Sequence, residues 1–188
     1  MTDRPDHFRL RLAARLLREG AVIAYPTEAV FGLGCDPLNR RAVYRLLAIK
    51  QRPVEKGLIL IASDISQLLP FVSIPSTVLR AELEATWPGP VTWLLPTRPE
   101  TPKWLRGEHT TIAVRVTAHP VAAALCDAFG GPIVSTSANA SGRPPARTAL
   151  QARRRCPGID AILNGKTGGR ARPTEIRDAA TGRTVRPA

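Results

Sequence analysis

The chain has 188 residues, 44% hydrophobic and 22% charged, an ordinary globular composition for one domain. At this size about 70% of the unfolded surface can be buried, so a core needs no disulfide or metal staple. Against 15 Asp and Glu stand 27 Lys and Arg, and the net charge of +12 favours polyanionic partners such as RNA or nucleotides. In chain order, residues 7–19 predict a helix with Phe8, Leu12, Leu16 and Leu17 on one stripe, stopped by Gly20. Residues 21–25 read as a buried strand ended by Pro26, and residues 26–34 as a Gly-containing loop. A helix over 40–49 turns Val43, Leu46 and Leu47 inward, and residues 58–61 form a second buried strand. Short helices follow near 65–69 and 77–85, then the rigid turn Trp87-Pro88-Gly89-Pro90. Strands are expected over 91–95, 112–116, 133–136 and 161–163, with helices over 119–129 and 150–156. Strands interleaved with helices make the class α/β, with some antiparallel pairing where connections are too short for crossovers. Residues 164–188, rich in Gly, Arg and Thr, read as a flap or ligand-covering tail rather than core.

Cys35, Cys126 and Cys156 are odd in number and lack C-x-x-C spacing, which argues against a disulfide framework or a zinc knuckle. There is no ~18-residue apolar run and no signal-peptide pattern, so the expectation is a cytoplasmic protein without a membrane partner. Arg supplies 23 of the 27 basic residues. Codon bias and bidentate phosphate recognition both account for that excess.

Two phosphate motifs fail on spacing. Gly165-Lys166-Thr167 resembles the end of a Walker A loop, but six residues separate Gly158 from Gly165 rather than four. Gly32-Leu33-Gly34 begins a dinucleotide fingerprint, yet Pro37 occupies the third glycine's place. Ser137 has no G-x-S-x-G elbow, and no His pair has H-E-x-x-H spacing, so no metal ligands are assigned.

Three segments combine turn residues with polar chemistry. Pro26-Thr27-Glu28-Ala29-Val30-Phe31-Gly32-Leu33-Gly34 follows a strand, and its glycines permit close backbone approach to a ligand. Lys50-Gln51-Arg52-Pro53-Val54-Glu55-Lys56-Gly57 places three cations after a helix. They fit either favourable helix-end charges, worth about 0.3–1 kcal/mol, or a triphosphate clamp. Ser135-Thr136-Ser137-Ala138-Asn139-Ala140-Ser141-Gly142 brings hydroxyl and amide groups to a strand end, as a capping turn or as a neutral phosphate and sugar site.

In this order the segments resemble the YrdC family of threonylcarbamoyl-AMP synthases, whose pattern is P-T-E, then K-x-R-P, then S-x-N within S-T-S-A-N-x-S-G. Trp87-Pro88-Gly89-Pro90-Val91-Thr92, Ile112-Ala113-Val114-Arg115-Val116 and Thr174-Glu175-Ile176-Arg177-Asp178 fit as well, so the resemblance runs from about Leu10 to Arg186. It implies a twisted open mixed sheet flanked by helices, with a basic cavity on one face, in a single domain of the short type. It also implies that threonine's amine is carboxylated by bicarbonate and that the carbamate attacks the α-phosphate of ATP. Pyrophosphate leaves, and a partner complex uses the adenylate to modify tRNA beside the anticodon. Lys50 and Arg52 are the implied catalytic cations. ATP falls to these two with Lys56, Thr111, Ser137, Asn139 and Arg186, and threonine to Thr27, Arg115, Ser135 and Thr174. Mg2+ is expected to accompany ATP. Ala29 and Pro145 depart from positions that often carry hydroxyls in the family. Two rival readings are a non-catalytic module binding double-stranded or ribosomal RNA, and carbamoyl-adenylate chemistry on another substrate. Direct RNA binding is compatible with the enzyme reading too.

Overall fold

The structure is a computed structural model, and it describes residues 6–172 and 174–187. The helices are α1 (His7–Arg18), α2 (Arg40–Lys50), α3 (Thr77–Thr86), α4 (Lys103–Arg106), α5 (Pro120–Phe129) and α6 (Ala149–Arg155). The strands are β1 (Ile23–Pro26), β2 (Phe31–Gly34), β3 (Ile59–Ala62), β4 (Val91–Pro96), β5 (Thr111–Val116), β6 (Ile133–Ser137), β7 (Ala161–Ile162), β8 (Glu175–Asp178) and β9 (Thr184–Arg186). Among the described residues these nine strands form one mixed sheet, in the order β7-β1-β2-β6-β3-β5-β4-β8-β9. No helix among them is long and apolar enough to cross a membrane.

Strand alternation divides the core between the two faces of the sheet. Ile23 and Tyr25 of β1, Ile61 of β3 and Ile133 of β6 pack with α1 and α5 through Leu10, Leu17, Val121 and Leu125. Ala24, Leu60, Ala62 and Val134 point the other way, toward Val43, Leu46 and Leu47 of α2 and Leu79 and Leu83 of α3. Local sequence sets the helix ends. The side chains of Asp6, Asn39, Ser76 and Thr148 cap the N-termini of α1, α2, α3 and α6. Pro120 opens α5, and Gly130 closes it at φ 87°.

Two expectations are corrected. On α1 the buried residues are Leu10, Ala13, Ala14 and Leu17, while Phe8 and Leu12 are exposed. The two small alanines form the packed face beside Leu10 and Leu17, and the apolar stripe did not identify it. Residues 31–34 are a strand rather than a loop: β2 pairs with β1 from Ile23↔Gly34 to Pro26↔Phe31 and with β6 at Leu33↔Thr136. Gly34 serves packing here. A Cβ on it would lie 2.6 Å from the Val134 carbonyl and 2.8 Å from the buried Tyr25 ring. The tail, expected as a flap or ligand-covering segment, adds the last two strands at one edge of the sheet. β8 lies parallel to β4 over Val91↔Glu175 to Leu94↔Asp178, and β9 pairs with β8 at Ile176↔Arg186.

Candidate active site

The strand ends and loops on one side of the sheet enclose a cavity of about 610 Å³. Every site residue expected from the sequence lines it: Thr27, Lys50, Arg52, Lys56, Thr111, Arg115, Ser135, Ser137, Asn139, Thr174 and Arg186. Arg106 and His109 line it too, and among the described lining residues there is no carboxylate. No local motif announced Arg106 or His109. They reach the cavity from α4 and the turn after it, where Arg106 Nη1 donates to the His109 carbonyl at 2.8 Å.

Thr27 sits in the β1–β2 turn, where its Oγ1 and its N–H both donate to the Val30 carbonyl, at 2.7 and 3.0 Å. Lys50 ends α2 and is only 3% exposed. Its Nζ donates to the carbonyls of Ser137 at 2.6 Å and Asn139 at 3.0 Å, with Asn139 Oδ1 at 3.3 Å and Ser137 Oγ at 3.4 Å. The Lys50 carbonyl in turn accepts from Ser141 N at 2.8 Å. The K-x-R and S-x-N segments, remote in sequence, are thus one hydrogen-bonded unit. Burial pushes the Lys50 ammonium down to about 8, with Cys156 opposing and Arg52 adding to the shift.

Gln51 closes α2 in the left-handed region at φ 50°, and Arg52 N then bonds the Leu47 carbonyl at 3.0 Å. This reversal brings Arg52 back onto its own loop. Its guanidinium donates to the Gly57 carbonyl at 2.9 and 3.2 Å and to that of Lys56 at 3.2 Å. Arg186 Nη2 donates to the Thr174 carbonyl at 2.7 Å. Burial and then the positive charges of Arg115 and Arg52 hold Arg186 below the usual arginine range. Mutual repulsion of this kind is relieved when an anion binds.

Arg115 on β5 is 5% exposed. Its Nη1 donates to Thr174 Oγ1 at 2.9 Å and approaches Thr92 Oγ1 at 3.4 Å. Its Nη2 meets Glu28 Oε2 at 3.3 Å, and Thr117 Oγ1 donates to Glu28 Oε1 at 2.6 Å. Burial raises the Glu28 carboxyl, but Arg115 and Thr117 outweigh it and hold the group below the usual range. The buried Nε of Arg115 has no hydrogen-bond partner among the described residues. Arg115 itself lines the cavity, and a guanidinium there fits an anionic ligand group. Thr92 and Thr117, which complete this cluster, carried no signal of their own, although Thr92 lies within the Trp-Pro-Gly-Pro-Val-Thr phrase.

The family model Sua5/YciO/YrdC, with the description "Telomere recombination", matches residues 15–188. A protein of Nitrosococcus oceani named threonylcarbamoyl-AMP synthase is 57% identical, over 96% of this chain and 98% of its own length. One of the same name from Methylococcus capsulatus is 58% identical, over 95% and 97%. Among solved structures, P. abyssi Sua5 complexed with L-threonine superposes with a TM-score of 0.86 at 32% identity, covering 92% of this chain and 51% of that one. E. coli YciO gives 0.82 at 29% identity, over 94% and 86%. The chain therefore belongs to the Sua5/YciO/YrdC family.

Proposed function

We propose that this protein is a nucleotidyltransferase that forms L-threonylcarbamoyl-adenylate from L-threonine, bicarbonate and ATP, releasing pyrophosphate, for modification of the tRNA adenosine beside the anticodon. The observation that carries the reading is the convergence of P-T-E, K-x-R, S-x-N and tail residues on one cation-lined cavity, in a chain more than half identical to proteins of that name. The threonine nitrogen bonds the bicarbonate carbon, with loss of water, to give a carbamate. A carbamate oxygen then bonds the α-phosphorus while the bond to pyrophosphate breaks. Neither step needs a protein nucleophile. What they need is alignment of attacking and leaving oxygens, with cations where negative charge gathers.

In this reading Arg52, Lys56 and Arg186 take the phosphates, with Thr111, Ser137 and Asn139 on the nucleotide side. Lys50 contributes its charge from within the S-x-N loop. Arg115 offers its positive charge to the threonine carboxylate, with the hydroxyls of Thr27, Ser135 and Thr174 around the amino acid. Mg2+ would accompany ATP as its chelate; the described cavity lining offers no carboxylate, so its ligands would come from ATP and water. The adenylate then passes to a tRNA-modifying partner complex in the cytoplasm.

Pyrophosphate release is the test. It should require ATP, threonine and bicarbonate together, and equal release without threonine would point to another amine substrate. Replacing Arg52 by Ala should lower turnover about 10²–10³-fold, the usual loss when a group stabilising transition-state charge is removed. Near-normal turnover would return Arg52 to a helix-end charge.

A further inference from the structure

Glu28 belongs to the P-T-E segment, yet it does not line the cavity, whereas its neighbour Thr27 does. It is 7% exposed. Its carboxylate is occupied inside the protein, by Thr117 Oγ1 at 2.6 Å and Arg115 Nη2 at 3.3 Å. It reaches from the β1–β2 turn onto β5, a contact across 87 residues of sequence. Its main-chain carbonyl accepts from Arg170 N at 3.1 Å, so the same residue also ties down the segment before β8.

An arginine side chain has many rotamers, and a bidentate or edge-on contact needs one of them. Here the guanidinium is held at two points. Thr174 and Thr92 hold Nη1, and Glu28 holds Nη2. We propose that Glu28 is a positioning residue for the amino-acid side of the cavity, fixing the Arg115 guanidinium where it lines the cavity so that it meets the carboxylate of the substrate. The inference rests on the reading of Arg115 as the threonine-side cation. Glu28 also neutralises Arg115, so the pair attracts an anion by geometry more than by net charge. These two effects predict opposite outcomes. If neutralisation were all Glu28 did, removing its charge would tighten anion binding. If it positions Arg115, removing it loosens threonine.

The experiment titrates L-threonine and ATP separately into the full chain and into Glu28→Gln, Arg115→Met and the double variant. Steady-state KM and kcat are measured beside the binding. In Glu28→Gln, threonine binding should weaken about ten- to a hundredfold, as expected for a misaligned contact group. ATP binding and kcat at saturating threonine should stay near the parent values. The double variant should bind threonine no more weakly than Arg115→Met, because Glu28 acts only through Arg115. Threonine binding that is unchanged or tighter in Glu28→Gln overturns the proposal, and so does an equal loss of threonine and ATP. If Arg115→Met binds threonine like the parent, the threonine-side reading fails and the proposal with it. If Arg115→Met loses threonine and Glu28→Gln does not, only the positioning role falls. Should Glu28→Gln not fold, Thr117→Val removes the hydroxyl that anchors Oε1 and keeps the charge pair. It should weaken threonine in the same direction by a smaller factor, and unchanged affinity overturns the proposal.

Discussion

At Lys50 an ammonium with three protons has four oxygens within 3.4 Å, all from the S-x-N loop. The helix-end reading placed this charge against the carbonyls of its own helix, and the structure turns it to another segment. Its folded value of about 8 lies below the ordinary lysine value of 10.5, and this fixes the sign of two pH effects. Below about 8 both folded and unfolded states hold the proton, and the cost of the buried charge is present in full. Between about 8 and 10.5 only the unfolded chain keeps it, so this residue makes stability rise with pH across that window. The positive charge offered to a nucleotide disappears from the folded protein as pH rises through about 8. ATP affinity, measured by calorimetry from pH 7 to 10, should fall as pH rises through about 8. Lys50→Arg keeps its charge there and should show a flat profile. The same fall in both proteins would mean that another group sets it.

Elements with strong periodicity were legible in the chain. Val43, Leu46 and Leu47 of α2 are buried as their spacing implies, and α5 runs between its Pro and Gly signals. What escaped depends on distant partners. Phe-Gly-Leu-Gly has little intrinsic strand preference, and it becomes β2 because β1 and β6 flank it while Tyr25 fills the space above its glycines. Glu-Ile-Arg-Asp and Thr-Val-Arg are polar sheet-edge sequences: the first becomes a strand beside β4, and the second beside the first. The site shows the same division. Its motifs were visible one at a time as turn segments, but the hydrogen bonds joining Lys50 to Asn139 and Glu28 to Arg115 were not. The tail illustrates what this means for the expected flap. Gly168 N bonds the Thr27 carbonyl at 3.0 Å, Arg170 N that of Glu28 at 3.1 Å, and His119 Nε2 lies 3.0 Å from the Lys166 carbonyl. A Cβ on Gly168 would lie 2.9 Å from the Glu28 carbonyl oxygen and 3.0 Å from its Cα, both backbone atoms. Gly168→Ala should therefore displace the segment at a cost of about 1–3 kcal/mol, lowering Tm by several degrees. Hydrogen exchange at Gly168 and Arg170 should rise and turnover should fall. Unchanged exchange and turnover would show that the segment does not depend on this close approach.

Over the whole molecule, the surplus of basic charge is unevenly placed. Several carboxylates are already paired, as in Arg15–Glu19, Arg80–Glu84 and Lys103–Glu108. From residue 128 to 174 the sole acid is Asp160, and it is held by Arg45 at 2.7 Å. That stretch also carries Arg143, Arg147, Arg153, Arg154, Arg155, Lys166, Arg170 and Arg172. Arg153 and Arg154 are exposed in the last turn of α6 and do not line the cavity. A field of this kind draws in polyanions and steers them without reading sequence. If RNA binds this face through its phosphates, log affinity should fall linearly with log salt and show little sequence preference. Replacing both Arg153 and Arg154 by Ala should then reduce that slope by about 2, one counterion for each lost phosphate contact. Pyrophosphate release with saturating small substrates should stay at the parent level, because neither residue reaches the cavity. RNA affinity that is flat between low and physiological salt, or a slope the double variant leaves unchanged, would show that this surface charge does not recruit RNA.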